Sequence, residues 1–329
     1  MTKKVLITGG AGYVGCILTK TLLQHNFKVV VVDCLWFNQI TPSIWIHDPN
    51  YTFINGDIRD QKTLDKCFKS EIDYVIHAAA VVGDPASKLF PHETKTINFD
   101  ASQLLLTMSQ KNNVKGVVFL STCSNYGVSD GLAEENSPLN PLSLYAQTKV
   151  EVEQMLINET YNLNWIVGRL STVYGSSPRM RFDLTVNDFT LKAFKDKYID
   201  IFLPKSYRPY IHVYDLSMVI TELLISFETT KNNVFNIGFE NENYQKIEIA
   251  NSVLEHVPDL KIDILKEGGD KRDYQVNFAK LHKFINVQKK YNVKKSVNEM
   301  LSLLKQYVIT DYDNEIYSNS TPRIKTKTV

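Results

Sequence analysis

Short apolar runs alternate with amphipathic segments through the first half of the chain. The runs show no polar–apolar alternation, which is typical of strands covered on both faces, as in a parallel sheet flanked by helices. The pattern predicts strands at residues 5–8, 28–33, 51–55, 74–78, 117–121 and 165–169, and helices at about 13–25, 63–70, 93–112 and 145–160. This regular alternation predicts an α/β fold with a doubly wound parallel sheet.

From about residue 171 the predicted elements become shorter and their polarity is mixed. The predicted division is a sheet domain over 1–170, a smaller C-terminal substrate-binding region over 171–309 and a loose tail over 310–329. Part of 208–238 is expected to return to the main sheet, at about 210–214 and 234–238. The tail is mostly polar without clear periodicity and finishes with the basic residues Arg323, Lys325 and Lys327.

The composition is that of an ordinary globular protein. Of 329 residues, 43% are hydrophobic and 22% are charged, and the formal net charge is +1. This balance gives no indication of binding to nucleic acid or to an anionic membrane surface. No apolar run approaches the ~20 residues that a membrane span needs, and the N-terminus shows no signal peptide. The four cysteines are scattered, which predicts no metal site or disulfide framework and favours a cytoplasmic location.

Three glycines follow the first predicted strand at the spacing Gly9-x-x-Gly12-x-x-Gly15 and open the first helix. A glycine turn in this position lets a dinucleotide pyrophosphate approach the backbone, and the helix N-terminus supplies amide donors. A purely structural turn is the alternative.

Asp33 ends the second strand, 18 residues after Gly15. A carboxylate there accepts hydrogen bonds from both ribose hydroxyls and repels a 2′-phosphate, so NAD is predicted rather than NADP. Residues 34–37 offer no arginine to bind such a phosphate.

Two further strand ends fit a cofactor. Asp57 follows the third strand and is positioned to accept from the adenine amino group, although a turn-forming aspartate explains it nearly as well. The fourth strand ends in His77 and three alanines, small residues past which a cofactor could lie close to the backbone. We interpret His77 as a packed structural residue.

Tyr145 and Lys149 are four residues apart on a predicted helix, so their side chains share one face. An ammonium group there is expected to lower the pKa of the phenol and to make Tyr145 a proton acceptor near neutral pH. Together with the glycine turn, this pair indicates redox chemistry on a dinucleotide.

These motifs occur together in the order of a known family. The segment 8–15 (TGGAGYVG), Asp57, the sequence at 77–79, Ser121-Thr122 with Tyr126-Gly127, and Tyr145-x-x-x-Lys149 resemble the extended short-chain dehydrogenase/reductase family over about residues 3–300. The resemblance implies a Rossmann-type domain, bound NAD, and most often a nucleotide sugar as substrate. The cofactor contacts expected from it and from the spacing are Gly9, Gly12, Tyr13, Val14, Asp33, Asp57, Ile58, Ala78, Ala79, Ala80, Tyr145 and Lys149.

The resemblance also implies catalytic roles. Tyr145 would exchange the proton of a sugar hydroxyl, Lys149 would lower its pKa and bind the nicotinamide ribose, and Thr122 would hydrogen-bond the same oxygen. The alternative for Thr122 is a strand-end hydroxyl that caps the backbone.

The positions after Thr122 discriminate between reactions. Nucleotide-sugar 4,6-dehydratases carry an Asp-Glu pair there, whereas this chain has Cys123 and Ser124, which disfavours that reaction. Hydride transfer at C4 remains, as oxidation, reduction or epimerisation. The sequences at 177–181 (SPRMR), 186–189 (VNDF) and 270–274 (DKRDY) further resemble a bacterial branch that includes GDP-heptose 4-dehydrogenases of surface-polysaccharide assembly.

The substrate is therefore expected to be a nucleotide-diphosphate sugar, with a GDP-sugar favoured. The predicted substrate contacts are Val82, Gly83, Thr122, Ser124, Asn125, Arg179, Arg181, Asn187, Arg208 and Arg272. Two other functions stay open: a non-catalytic dinucleotide sensor, and an oxidoreductase of an apolar alcohol such as a steroid. The resemblance also implies a homodimer, in which the apolar stripe Val152, Met155 and Leu156 would be either interface or core.

Overall fold

A computed structural model describes residues 2–320 of the chain. Its strands are β1 Lys4–Thr8, β2 Lys28–Asp33, β3 Tyr51–Asn55, β4 Tyr74–His77, β5 Gly116–Thr122, β6 Val128–Ala133, β7 Trp165–Leu170, β8 Thr172–Tyr174, β9 Tyr198–Phe202, β10 Tyr207–His212, β11 Asn233–Ile237, β12 Asn243–Gln245, β13 Lys261–Leu265 and β14 Asp273–Val276. Its α-helices are α1 Tyr13–Gln24, α2 Gln61–Cys67, α3 Asp84–Leu89, α4 Pro91–Lys95, α5 Ala101–Lys111, α6 Leu144–Ile157, α7 Thr185–Lys195, α8 Val213–Ile225, α9 Phe227–Thr230, α10 Lys246–Leu254, α11 Ala279–Phe284 and α12 Val293–Lys305.

The main sheet has seven parallel strands in the order β11-β7-β5-β4-β1-β2-β3. Successive residues of a strand point to opposite faces, so β1 feeds two cores. Val5 and Ile7 pack in the layer that contains α1 and α8, whereas Leu6 packs in the layer that contains α2, α5 and α6. Helices therefore cover both faces, which confirms the doubly wound α/β fold.

The second half of the chain forms smaller sheets and a third core between α7, α10 and α12. The segment at 234–238 joins the main sheet as β11, as predicted. The segment at 210–214 does not, because β10 pairs with β8 and β12 in a separate three-stranded sheet. The boundary near residue 170 stays a prediction.

Residues 310–320 are packed, in contrast to the loose tail expected there. The aromatic side chains of Tyr312 and Tyr317 pack with Phe182, Met300 and Leu304, and the Phe182 amide donates to the Tyr317 carbonyl at 2.9 Å. The mostly polar composition of this segment did not indicate that Tyr312 and Tyr317, two widely spaced aromatic residues, would pack against the rest of the protein. The three basic residues of the predicted tail lie outside the described part of the chain.

Helix α6 buries the apolar stripe that could have been an interface. Val152 and Leu156 are fully buried against the main sheet, and Met155 packs beside them, so the stripe belongs to the core. The homodimer stays a prediction, which light scattering at micromolar concentration tests. None of the helices within residues 2–320 is long and apolar enough to cross a membrane.

Candidate functional site

A cavity of about 1020 Å³ opens at the carboxyl ends of the main-sheet strands. Strand order reverses between β1 and β4, and ligands of doubly wound sheets bind in the crevice at such a reversal. Residues of the second half, from the loop at 179–185 and the segment at 269–274, form the opposite wall. The cavity therefore lies between the main sheet and the C-terminal region.

The glycine turn forms one floor of this cavity. Gly9 has φ +72°, and a Cβ atom there would lie 2.7 Å from the backbone of Ala79. A Cβ atom on Gly15 would lie 2.2 Å from the Gly9 carbonyl oxygen, so the close packing of α1 on β1 requires glycine. Gly12, Tyr13 and Val14 at the start of α1 line the cavity, and the first amides of a helix have no partner within the helix. The Gly12 amide itself closes the turn by donating to the Gly9 carbonyl at 3.1 Å. This cradle fits the pyrophosphate of a dinucleotide.

Asp33 lies at the edge of the cradle, where the sequence placed it. Its carboxylate accepts hydrogen bonds from the amides of Ala11 at 3.1 Å and Leu35 at 2.8 Å. Burial raises the pKa of Asp33 to about 6, against the two amides and the positive charge of Arg179, which lower it. The two amides therefore fix the orientation of this carboxylate in the cavity wall.

The other predicted cofactor residues line the same cavity: Asp57, Ile58, Ala78, Ala79 and Ala80. Asp57 also takes the turn-forming role, because its Oδ1 accepts from the Arg59 amide at 2.9 Å and its carboxylate pairs with the Arg59 guanidinium. His77 is buried and bonds the hydroxyls of Thr8 and Ser102, so it is a structural residue.

Tyr145 and Lys149 share one face of α6, whose first turn is capped by the Ser143 hydroxyl. Both side chains line the cavity and both are more than nine-tenths buried. Burial raises the pKa of Tyr145 to about 12, although the Thr122 hydrogen bond and the charges of Arg181 and Arg272 lower it.

The expectation that Lys149 lowers the pKa of this phenol is not met in this structure. Its Nζ atom donates to the Leu120 carbonyl at 2.8 Å, and burial lowers the pKa of Lys149 itself to about 7. Desolvation disfavours the charged form of both groups, and it is the largest influence on the pKa of each.

Thr122 has both of the roles considered for it. Its hydroxyl accepts from the Ser124 amide at 3.1 Å, which caps the short helical turn at Cys123–Tyr126. It also hydrogen-bonds Tyr145 and thereby lowers the pKa of the phenol. The end of β5 thus brings the Thr122 hydroxyl to the Tyr145 oxygen.

Cys123 and Ser124, the two positions that discriminate between reactions, lie in different surroundings. Cys123 is fully buried, and its thiol donates to the Arg169 carbonyl at 3.1 Å. Ser124 lines the cavity and accepts from Nη1 of Arg272 at 2.6 Å. Neither position offers a carboxyl group to the cavity.

Arg272 closes the cavity above Ser124. Its guanidinium is held by a bidentate ion pair with Asp270, and its Nη2 atom lies 3.5 Å from Oδ2 of Asp84. Asp84 also lines the cavity and raises the pKa of Tyr145 through its negative charge. This network places a forked cation beside Ser124 and close enough to Tyr145 to lower the pKa of its phenol.

Val82, Gly83, Arg179 and Arg181 also line the cavity, whereas three predicted substrate residues do not. Asn125 is fully buried behind the Thr122 turn, where its amide donates to Glu153 at 2.8 Å. Asn187 holds the loop at 175–181 through Gly175 and Arg181. Arg208 is buried behind the cavity wall formed by 269–274, where its Nη2 atom is 3.2 Å from Oδ2 of Asp270. Residues that contact the cavity and residues that support it both occupy positions that match the family, so the sequence does not separate them.

Several lining residues were missed by sequence reasoning. Trp36, Phe37 and Gln39 follow Asp33 and form the wall beside it, and Asn319 and Ser320 reach the cavity from the C-terminal segment. The aromatic pair after Asp33 was a usable signal, whereas nothing in the local sequence marks Asn319.

The NAD dependent epimerase/dehydratase family matches the chain over residues 5–238. The UDP-glucose 4-epimerase of Lactobacillus helveticus is 30% identical over 270 residues, which is 76% of this chain and 80% of that one. The structure of a UDP-glucuronic acid 4-epimerase from Bacillus cereus, with UDP-glucuronic acid and NAD, superposes with a TM-score of 0.83 at 23% identity, covering 92% of this chain and 99% of that one. A UDP-glucose 4-epimerase from Thermotoga maritima, with UDP-glucose, has a TM-score of 0.81 at 24% identity over 93% and 100%. These two structures show the shared fold.

Proposed function

This chain belongs to the NAD-dependent epimerase/dehydratase family, and on that premise we propose that it transfers hydride at C4 of a nucleotide-diphosphate sugar. Its cofactor is NAD, and the glycine cradle with Asp33 fits that group. The observation that carries the proposal for C4 is the Cys123-Ser124 pair. A 4,6-elimination needs carboxyl groups there, and this site offers a buried thiol and an arginine-bound hydroxyl.

In this proposal the protein supplies the proton transfer. NAD, when bound, provides the hydride acceptor. In its deprotonated form the Tyr145 oxygen takes the proton of the C4 hydroxyl, and the Thr122 hydroxyl hydrogen-bonds that oxygen. The positive charges of Arg181 and Arg272 favour the deprotonated phenol. Lys149, one turn along α6, holds a proton at Nζ close to neutral pH.

The substrate class follows from the arginines. Arg272 and Arg181 line the cavity on the side where their charges act on Tyr145, and forked guanidinium groups suit a diphosphate. The relatives named above act on UDP-sugars. The resemblance of 177–181 and 270–274 to GDP-heptose 4-dehydrogenases favours a GDP-sugar, and with it a role in bacterial surface-polysaccharide synthesis.

The test combines ligand screening with isotope incorporation. A thermal-shift panel of GDP-, UDP-, dTDP- and CDP-sugars identifies the nucleotide, and the best ligand is then incubated with the enzyme in D₂O. We expect a 4-keto sugar, its reduced form or the C4 epimer, with no deuterium at C5. A 4-keto-6-deoxy product that carries deuterium at C5 would overturn the proposal.

One observation favours 4,6-dehydration as a second candidate. Asp84 brings a carboxylate into the cavity, and its Oδ1 atom is buried without a hydrogen-bond partner among residues 2–320. Glu134, the other carboxyl considered for this role, does not line the cavity and bonds Asn277 instead. If deuterium appears at C5, Asp84→Asn should abolish that exchange while Glu134→Gln leaves it intact.

A further inference from the structure

Arg179 is a buried cation whose hydrogen-bonding capacity is mostly unused. Its side chain is 4% exposed, and its Nε and Nη1 atoms have no hydrogen-bond partner within the described residues. Buried guanidinium donors without acceptors are costly, so such a group is expected to bind an acceptor-rich ligand. Burial lowers the pKa of Arg179 to about 10, which leaves it charged at neutral pH.

The position of Arg179 identifies the ligand. The guanidinium carbon lies 4.1 Å from the centre of the Phe37 ring, four residues after Asp33, and its charge lowers the pKa of that aspartate. Arg179 therefore lies at the adenosine end of the cavity. Arg272, by contrast, lies at the substrate end with Ser124 and Asp84.

The loop that carries Arg179 is bonded to the first turn of the cofactor helix. The Tyr13 hydroxyl donates to the Gly175 carbonyl at 2.6 Å, and the Ser177 hydroxyl donates to the Tyr13 carbonyl at 2.8 Å. The Cys16 thiol lies 3.0 Å from the same Ser177 hydroxyl. These bonds hold the loop over α1 and bring its arginine to the cofactor cradle.

The C-terminal segment 309–320 completes this wall. The Asn319 amide donates to Asp183 at 3.0 Å, and the Ser318 carbonyl lies 3.5 Å from Nη2 of Arg179. Asn319 lines the cavity, and its buried Oδ1 atom has no hydrogen-bond partner among residues 2–320. Two unused donor atoms and one unused acceptor therefore lie in this part of the cavity wall.

We propose that Arg179 and the C-terminal segment 309–320 form a clasp over the adenosine half of NAD. Arg179 donates to the oxygens of its ribose and adjacent phosphate, and Asn319 accepts from a ribose hydroxyl. The clasp concerns cofactor retention, so it is independent of the carbon at which the enzyme acts.

The test measures NAD release from the purified holoenzyme. The bound nucleotide is quantified by absorbance after acid precipitation, and its loss is followed after dilution into NAD-free buffer. We expect Arg179→Gln to release NAD about 10- to 100-fold faster, the effect of losing charged hydrogen bonds. Asn319→Ala should also accelerate release, and the effects should not be additive because both side chains hold one ligand.

Lys195→Gln is the matched control. It removes one positive charge and an exposed ion pair with Asp313 of the same segment, away from the cavity, and should release NAD at the wild-type rate. Thermal unfolding in saturating NAD checks that each variant is folded. If folded Arg179→Gln and Asn319→Ala both release NAD at the wild-type rate, the clasp does not exist. If Arg179→Gln weakens GDP and UDP binding but not NAD retention, Arg179 belongs to the substrate site and the proposal is wrong.

Discussion

Glu153 and Arg169 form a buried ion pair, with Nη2 of the arginine 2.8 Å from Oε2 of the glutamate. Glu153 follows Tyr145 and Lys149 at intervals of four residues on the same face of α6. Its carboxylate also accepts from the Ser121 hydroxyl and the Asn125 amide, on either side of Thr122. One buried carboxylate thus connects the helix that carries Tyr145 to the residues on either side of Thr122.

Glu153→Gln should destabilise the protein by about 3–5 kcal/mol, because it leaves the buried Arg169 charge without a counter-ion. Urea unfolding measures the free energy of unfolding. Glu151→Gln, two residues away on the exposed side of α6, is the control and should change it by less than about 0.5 kcal/mol. Equal effects of the two substitutions would contradict the role given to this pair.

Tyr145→Phe should lower turnover by about 10²–10⁴-fold, the usual contribution of a positioned acid or base. The fold and the bound NAD should be retained, since only a hydroxyl is removed. Tyr161→Phe removes a hydroxyl that bonds Gln103 far from the cavity, and should be fully active. Normal activity of Tyr145→Phe would exclude it as the acid/base.

Arg272→Met should weaken binding of the nucleotide-sugar by about 10- to 100-fold, because a forked cation at the substrate end is lost. NAD retention should not change. Titration calorimetry with the ligand found in the thermal-shift panel measures the affinity. Arg59→Gln, which alters the ion pair at Asp57 on the cofactor side, is the control and should leave sugar-nucleotide affinity intact.

Wild-type protein should prefer NAD to NADP, because the Asp33 carboxylate repels a 2′-phosphate. Arg179 lies close to Asp33. The Asp33→Ala variant should therefore gain affinity for NADP, because the 2′-phosphate is no longer repelled and can pair with the Arg179 guanidinium. The double variant Asp33→Ala/Arg179→Gln should not gain it. The affinity ratio of the two cofactors measures both effects, and a wild-type preference for NADP would show that the reading of Asp33 is wrong.

Burial lowers the pKa of His77 from 6.5 to about 3. The unfolded chain therefore binds a proton between these values while the folded protein does not, so His77 makes the folded state less stable as pH falls through this window. As the pH falls from 6.5 to 3, the free energy of unfolding should decrease less in His77→Gln than in the wild-type protein. Unfolding curves across that range compare the slopes, and identical slopes would contradict the assignment.

The sequence by itself determined the sheet, the glycine turn and the pairing of Tyr145 with Lys149 on one helix face, because each is encoded locally. Apolar runs without alternation specify buried parallel strands, three spaced glycines specify the turn, and the four-residue interval from Tyr145 to Lys149 specifies a shared helix face. Only the tertiary structure decided what surrounds them. Burial reverses the expected direction of the Tyr145 pKa, since desolvation depends on every neighbour that excludes water.

The arginines show the same difference between what the local sequence determines and what the tertiary structure decides. Their spacing did not reveal that Arg272 bonds Ser124, that Arg208 lies against Asp270, or that Arg179 packs on Phe37, 142 positions earlier in the chain. The packing of 310–320 also depends on contacts with 179–183, which composition does not record. Contacts between distant segments are set by how the cores assemble, and a local pattern carries no information about them.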